Sequence, residues 1–222
     1  MEQGAKAIMA RPREFDETAV LDAAVQCFWS RGYEATSVRD LADGMGITGA
    51  SLYNAFGDKR GLFRRALNHY LDQSVRERIA RLEGSLPPGK AISAFLDEII
   101  ERSLNDRQRR GYMLVNTALD LAPHDAEFRR VVSDELKDIE AFFRRCVQAG
   151  QRAGEFTTAQ NATDLARLLL SLLLGIRVLA RTRPQRALLE GIARPAMALL
   201  GTVDHPPSPH PQCLQPSSLH HD

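Results

Sequence analysis

Cysteine is scarce in this 222-residue chain: Cys27, Cys146 and Cys213 are widely spaced and odd in number. No C-x-x-C pair occurs, which argues against a zinc site or a disulfide framework and makes a reducing cytoplasm the expected setting. Charge of one sign is lacking as well. The 29 Lys and Arg are balanced by 28 Asp and Glu, for a formal net charge of +1. Any surface for a polyanion must therefore be a local patch. The greasiest run, 168–180, is interrupted by Arg177 and is too short to span a bilayer, so no membrane partner is expected. The opening stretch "MEQGAKAIMARPREF" has no apolar segment of the secretory kind. Period-2 runs of β-branched residues are missing. So is any paired-carboxylate, nucleophile–base or metal-ligand spacing, and neither cofactor, metal nor catalytic set is expected.

What remains is helix. The periodicity predicts an all-α chain of about nine helices. Residues 1–13 form a basic arm carrying Lys6, Arg11 and Arg13. A first helix opens at Asp16, a good N-cap, and stops at Gly32. Short helices over 37–45 and 48–55 follow, then a longer one from 58 to about 82. "GSLPPGK" divides this N-terminal unit (14–70) from a helical body (71–201) with helices near 90–106, 111–121, 125–153, 161–183 and 185–201. The tail, 202–222, is rich in Pro, Ser and His and poor in large apolar residues, so disorder is expected there.

The stretch "DGMGITGASLYNAF" admits two readings. Gly44, Gly46 and Gly49 have the G-x-G-x-x-G spacing of a dinucleotide loop, which would make the protein a nucleotide enzyme. That loop needs a buried strand ahead of its first glycine. The preceding "TSVRDLAD" is charged and helix-periodic, and opens with a capping box, Ser37-x-x-Asp40. A helix-turn-helix accounts for more positions. Val38, Leu41 and Met45 share one face, Ala42 is small at the helix crossing, and Gly46 suits a left-handed turn. Ile47 plugs that turn, Leu52 and Ala55 face inward, and Thr48 caps the second helix. That helix then enters a DNA major groove N-terminus first. Its outward residues are Thr48, Gly49, Ala50, Ser51, Tyr53 and Asn54, with Ser37 and Arg39 on the preceding helix. Arg11 and Arg13 can follow the backbone or the adjacent minor groove.

The segment from Phe15 to Leu67 resembles the N-terminal domain of the TetR/AcrR family of bacterial transcriptional regulators. The matching residues are Phe28, Gly32-Tyr33, Thr36-Ser37-Val38, Ile47-Thr48, Leu52-Tyr53, Phe56, Asp58-Lys59 and Leu62-Phe63. The resemblance implies a homodimer on an inverted-repeat operator in double-stranded DNA, with a small-molecule effector controlling the two heads from the body. It also implies that Tyr53 and Lys59 contact phosphates. Many members carry a lysine where this chain has Gly49 and Ala50. Base reading should then fall on Thr48, Ser51, Asn54 and Arg39.

In the body, "ATDLARLLLSLLLGIRVLART" is apolar nearly all round, and a second subunit is the expected cover. Leu168, Ser171, Leu172, Gly175 and Leu179, with Leu188 and Ile192, are the candidate dimer surface; the resemblance implies a four-helix interface. Phe95, Ile99, Met113, Phe142 and Phe143 are candidate apolar walls of an effector pocket. Tyr112, Asn116, Thr117 and Arg177 are its polar candidates. Arg177 needs a partner in so apolar a helix; an anionic effector is one, and a partner-chain carboxylate or solvent is the alternative. One family branch often has a cysteine where Tyr112 stands, which weakens thiol sensing here. The leading expectation is a ligand-released repressor acting in the bacterial cytoplasm. An activator, an effector-independent regulator and a protein-binding helical adaptor are the alternatives.

Overall fold

The computed structural model describes residues 16–201. The arm with Arg11 and Arg13 and the 202–222 tail lie outside them. The described residues are helical without strands, so no βαβ unit surrounds Gly44. α1 (Glu17–Arg31) starts where Asp16 accepts hydrogen bonds from the Thr18 and Ala19 N–H groups, and it ends at Gly32. α2 (Val38–Met45) begins with the full Ser37–Asp40 capping box. α3 (Gly49–Phe56) is capped by Thr48.

The helix expected over 58–82 is three segments. α4 (Lys59–Leu71) passes through a π-helical turn, Asp72–Arg76, into α5 (Glu77–Leu82). Periodicity alone did not reveal this interruption, because a single wide turn shifts the apolar pattern by only one residue. α6 (Pro88–Asn105) begins two residues earlier than expected, with a proline in its first turn, where the missing N–H is no loss. α7 (Met113–Asp120), α8 (Ala126–Arg152), α9 (Ala162–Thr182) and α10 (Arg186–Gly201) complete the chain.

One continuous apolar core runs from Val20 in α1 to Leu200 in α10. In the body α8 packs on α9 and α6, and α10 closes against α6 and α9. Phe95, Phe142 and Phe143 form its centre, with ring centroids 5.3–5.4 Å apart and no exposed surface. At the N-terminal end α1 crosses α2 and α4 around Phe28, Leu41, Leu52 and Phe63. The rod α4–α5 therefore carries the α1–α3 unit on the body. Three ion pairs lock that junction from outside, one of them Arg60 with Glu127 at 2.6 Å. Arg60 makes a two-bond fork with Asp125 (2.9 and 3.1 Å) and Arg64 meets Glu127 at 3.0 Å. Asp125 simultaneously caps α8.

Candidate nucleic-acid interface

The three glycines of the 43–56 stretch have three separate surroundings, and no strand among the described residues precedes Gly44 as a dinucleotide loop requires. A Cβ on Gly44 would lie 2.6 Å from Cys27 Sγ, so this residue lets α2 approach α1 closely. Gly46 has φ +65°, the left-handed turn that stops α2 and aims α3. Gly49 has open space around it and leaves the first turn of α3 bare.

The turn is anchored from beneath by Leu41, Met45, Leu52 and Phe56, all buried. Above it, Thr48, Ala50, Tyr53 and Asn54 are exposed, and Gly49 and Ser51 are half-buried. Tyr53 is 51 % exposed, a large aromatic kept in water. Thr48 Oγ1 accepts from the Ser51 N–H and lies 2.9 Å from the Ser51 hydroxyl. The two small hydroxyls at the helix tip are thus preordered. Ser37 is engaged by its cap: it accepts from the Asp40 N–H and lies 2.6 Å from the Asp40 carboxylate. Its hydroxyl orients α2.

Arg39 is almost fully exposed and only loosely paired with Asp43, at 3.8 Å. It is free to reach outward. Lys59 sits in the first turn of α4, over the Tyr33 ring at 4.3 Å and 3.4 Å from the Glu34 carbonyl. Contacting a phosphate requires it to leave that weak seat. Asp40 is held at about 2, first by the Ser37 hydroxyl and then by the Ser37 N–H and Arg31, the latter 2.6 Å away. The only acidic group so held on α2 is turned toward α1, where it does not oppose a phosphate.

On the body, Leu168 and Ser171 are exposed, and Leu172, Gly175, Leu179, Leu188 and Ile192 are half-buried. The opposite face of α9 holds Leu165, Leu169, Leu173 and Ile176 in the core. Of the effector candidates, Phe95, Ile99, Phe142 and Phe143 lie in close-packed core. Met113, Asn116 and Thr117 instead line an open cleft between α7 and the end of α1. Tyr112 and Arg177 are buried together, the guanidinium 4.7 Å from the ring centroid. Burial pushes the Tyr112 hydroxyl well above the ordinary tyrosine value. Sequence reasoning missed Trp29 and Arg181, which line this cleft and the smaller one beside it. The single tryptophan of the chain was their available signal. Both described cysteines are pushed up by burial, Cys146 to about 11, the opposite of a reactive thiolate. No helix among the described residues is long and apolar enough to cross a membrane.

A capped pair of short helices with a left-handed glycine between them and a bare polar outer face defines a DNA-binding unit of the helix-turn-helix type. Residues 20–66 match the family described as "Bacterial regulatory proteins, tetR family", and residues 88–195 match "Tetracyclin repressor-like, C-terminal domain". The uncharacterized HTH-type transcriptional regulator YezE of Bacillus subtilis is 32% identical over 177 residues, covering 78% of this chain and 90% of the relative. The HTH-type transcriptional repressor ComR of Escherichia coli is 31% identical over 186 residues, covering 81% and 86%. Among solved structures, a cysteine mutant of the TetR family transcriptional regulator CifR, complexed with 26 bp double-strand operator DNA, superposes with a TM-score of 0.76. It is 34% identical, and the match covers 86% of this chain and 100% of that one. The chain belongs to the TetR family, and it is a DNA-binding transcriptional regulator.

Proposed function

We propose that the protein is a homodimeric repressor that grips an inverted-repeat operator and lets go when a small molecule occupies its body. The observation that carries this reading is the outer face of α3: preordered, polar and uncovered, on a unit anchored to a long-range core. That CifR is solved with operator DNA, and that ComR is named a repressor, support the same direction. The protein acts by binding, on the chromosome in the bacterial cytoplasm, and not by catalysis.

Each α3 enters one major groove, and the two half-sites lie one helical turn, roughly 34–36 Å, or a multiple of it apart. Tyr53, Lys59 and the outlying Arg11 and Arg13 hold phosphates; Thr48, Ser51, Asn54 and Arg39 read bases, while Gly49 and Ala50 let the helix sit deep. The uncovered stripe of α9 (Leu168, Ser171, Leu172, Gly175, Leu179), with Leu188 and Ile192 of α10, meets its copy in a second subunit. Gly175, with open space around it, permits close helix approach there. The effector-facing set is Tyr112, Met113, Asn116, Thr117 and Arg177, over a floor of Phe95, Ile99, Phe142 and Phe143. The ligand works by preferring the conformation whose heads are wrongly spaced for DNA.

Footprinting on the protein's own promoter region tests the core of this reading. Two protected half-sites related by a dyad are expected; one unrepeated half-site bound by a monomer sinks it. Within the head, Asn54→Ala should cost about 1–3 kcal/mol per base contact and relax preference at one symmetric position. Lys59→Ala should weaken all sequences alike and lower the salt slope by about one per subunit. Swapped behaviour of the two variants would reverse their roles.

A further inference from the structure

Arg177 is 3 % exposed, and its guanidinium is only half used. Nη1 donates to Ser103 Oγ at 3.3 Å, and one face lies over Tyr112. Nε and Nη2 have no hydrogen-bond partner among the described residues. Those two N–H groups form a single edge, the one that grips a carboxylate by two parallel bonds. This protein uses that edge on carboxylates elsewhere. Arg60 presents it to both oxygens of Asp125, at 2.9 and 3.1 Å, and Arg76 turns it on the single Oε2 of Glu135, at 3.0 and 2.8 Å. Burial draws the Arg177 pKa down; Tyr70 and Tyr112 act against this, and Arg102 and Arg78, both of its own sign, add to it. Burying a cation with an open edge is costly unless an anion completes it.

Arg177 also lines a narrow cleft, together with Arg102, Arg109, Arg181 and Trp29. The carboxylate in its wall, Asp106, is already taken by the Arg110 side chain (3.1 Å) and backbone N–H (2.7 Å). The cleft is therefore cationic, and in this structure it is closed to anything larger than a water, so a ligand must open it to enter. We propose that it is the anchor point of the effector, and that the effector is a compact organic carboxylate whose two oxygens take Nε–H and Nη2–H of Arg177. This rests on the repressor reading and narrows its ligand.

The same cleft explains how occupancy reaches the DNA. Trp29 belongs to α1, the helix on which α2 and α4 pack. The 106–112 loop clasps it: Arg110 lies 4.0 Å from the Trp29 ring and donates to Gln26, and Ser30 bonds Gln108 at 3.3 Å. Arg109 and Gly111 hold left-handed conformations in this loop, at φ +53° and +78°. A Cβ on Gly111 would sit 3.3 Å from Arg181 Cδ, so the loop is pressed between α9 and α1. A ligand entering at Arg177 displaces either that loop or Trp29, and both move α1.

Trp29 is the only tryptophan, so tryptophan fluorescence reports on the junction where the two clefts meet. The full-length protein would be titrated with acetate, hexanoate and benzoate, with the matching neutral amides, and with phenyl phosphate, with and without a labelled operator. At least one carboxylate is expected to change Trp29 emission saturably and release operator, binding at least about tenfold tighter than its amide. Arg177→Gln should abolish that selectivity while keeping helicity and operator affinity. Should Arg177→Gln not fold, the exposed Arg109→Gln must weaken the same carboxylate several-fold. No advantage of any carboxylate over its amide, or a preference for phenyl phosphate, overturns the assignment, and intact operator binding beside that result leaves the repressor reading standing. An Arg177-dependent carboxylate signal from a protein that ignores inverted repeats supports the site and overturns repression.

Discussion

The DNA-facing helices and the body are built by opposite means. α2 and α3 are fixed by bonds that span three residues: Ser37 with Asp40 and Thr48 with Ser51. The body is fixed by partners distant in sequence: Phe95 with Phe142, Arg76 with Glu135, Arg60 with Asp125. Its buried polar atoms are also less completely satisfied. Tyr70, Ser74, Glu135 and Arg177 all keep partnerless buried atoms among the described residues, as does Trp29 where α1 meets the body, and none lies on α2 or α3. A reading surface must present one shape to every operator, and local bonds rigidify it. A sensing region must have two shapes of similar energy, which long-range packing around unsatisfied groups permits.

Breaking each kind of device should show the contrast. Phe142→Ala removes a fully buried ring from the centre of the body and should lower unfolding free energy by about 3–5 kcal/mol, measured by urea denaturation. A loss under about 1 kcal/mol would mean the body core is loosely packed. Next comes Gly44→Ala, which drives a methyl into Cys27 Sγ and should cost about 1–3 kcal/mol. Pairing it with Cys27→Ala should recover much of that loss and of the DNA affinity. A dinucleotide loop would show no such rescue.

Thr48→Ala deletes the cap of α3, and about 1 kcal/mol should go from stability. Operator affinity should fall further than global stability, because the fraying turn is the one proposed to meet DNA. Equal losses would mean that α3 is rigid without its cap. The smallest effect is at Asp40, held at about 2 by Ser37 and Arg31. A carboxylate depressed below its unfolded value of about 3.9 stabilises fully above that pH, and the benefit fades as pH drops toward about 2. The stability gap between the native chain and Asp40→Asn should therefore close over that acid window. A gap constant with pH would assign the residue a packing role only.

The same contrast governs what could be read beforehand. Asp16, Ser37–Asp40, Gly46 and Thr48 announce themselves because cap and helix are neighbours in the chain, and the structure places each as expected. Helix existence in the body followed from periodicity, and its ends moved by only one or two residues. The seam was not legible. Trp29, Arg110 and Arg181 meet only because α1, the 106–112 loop and α9 converge, and no spacing within one element records that. Phe142 and Phe143 show the converse limit: an apolar pattern marks burial, without distinguishing a packed centre from a pocket wall.

The π-turn between α4 and α5 gives the connecting rod an editable length. Its backbone closes from the Glu77 N–H to the Asp72 carbonyl, so the rod holds one residue more than plain α-helix needs over the same path. Deleting a single residue within 72–76 lets the rod close as ordinary α-helix with its two ends facing as before. Deleting one between 60 and 70 turns everything ahead of it by about 100° and draws it in by about 1.5 Å. In a two-fold assembly that second edit misdirects both reading helices at once, by symmetry-related rotations. The Asp72–Arg76 segment is thus the one place along this rod where chain length can vary without changing which way the heads point.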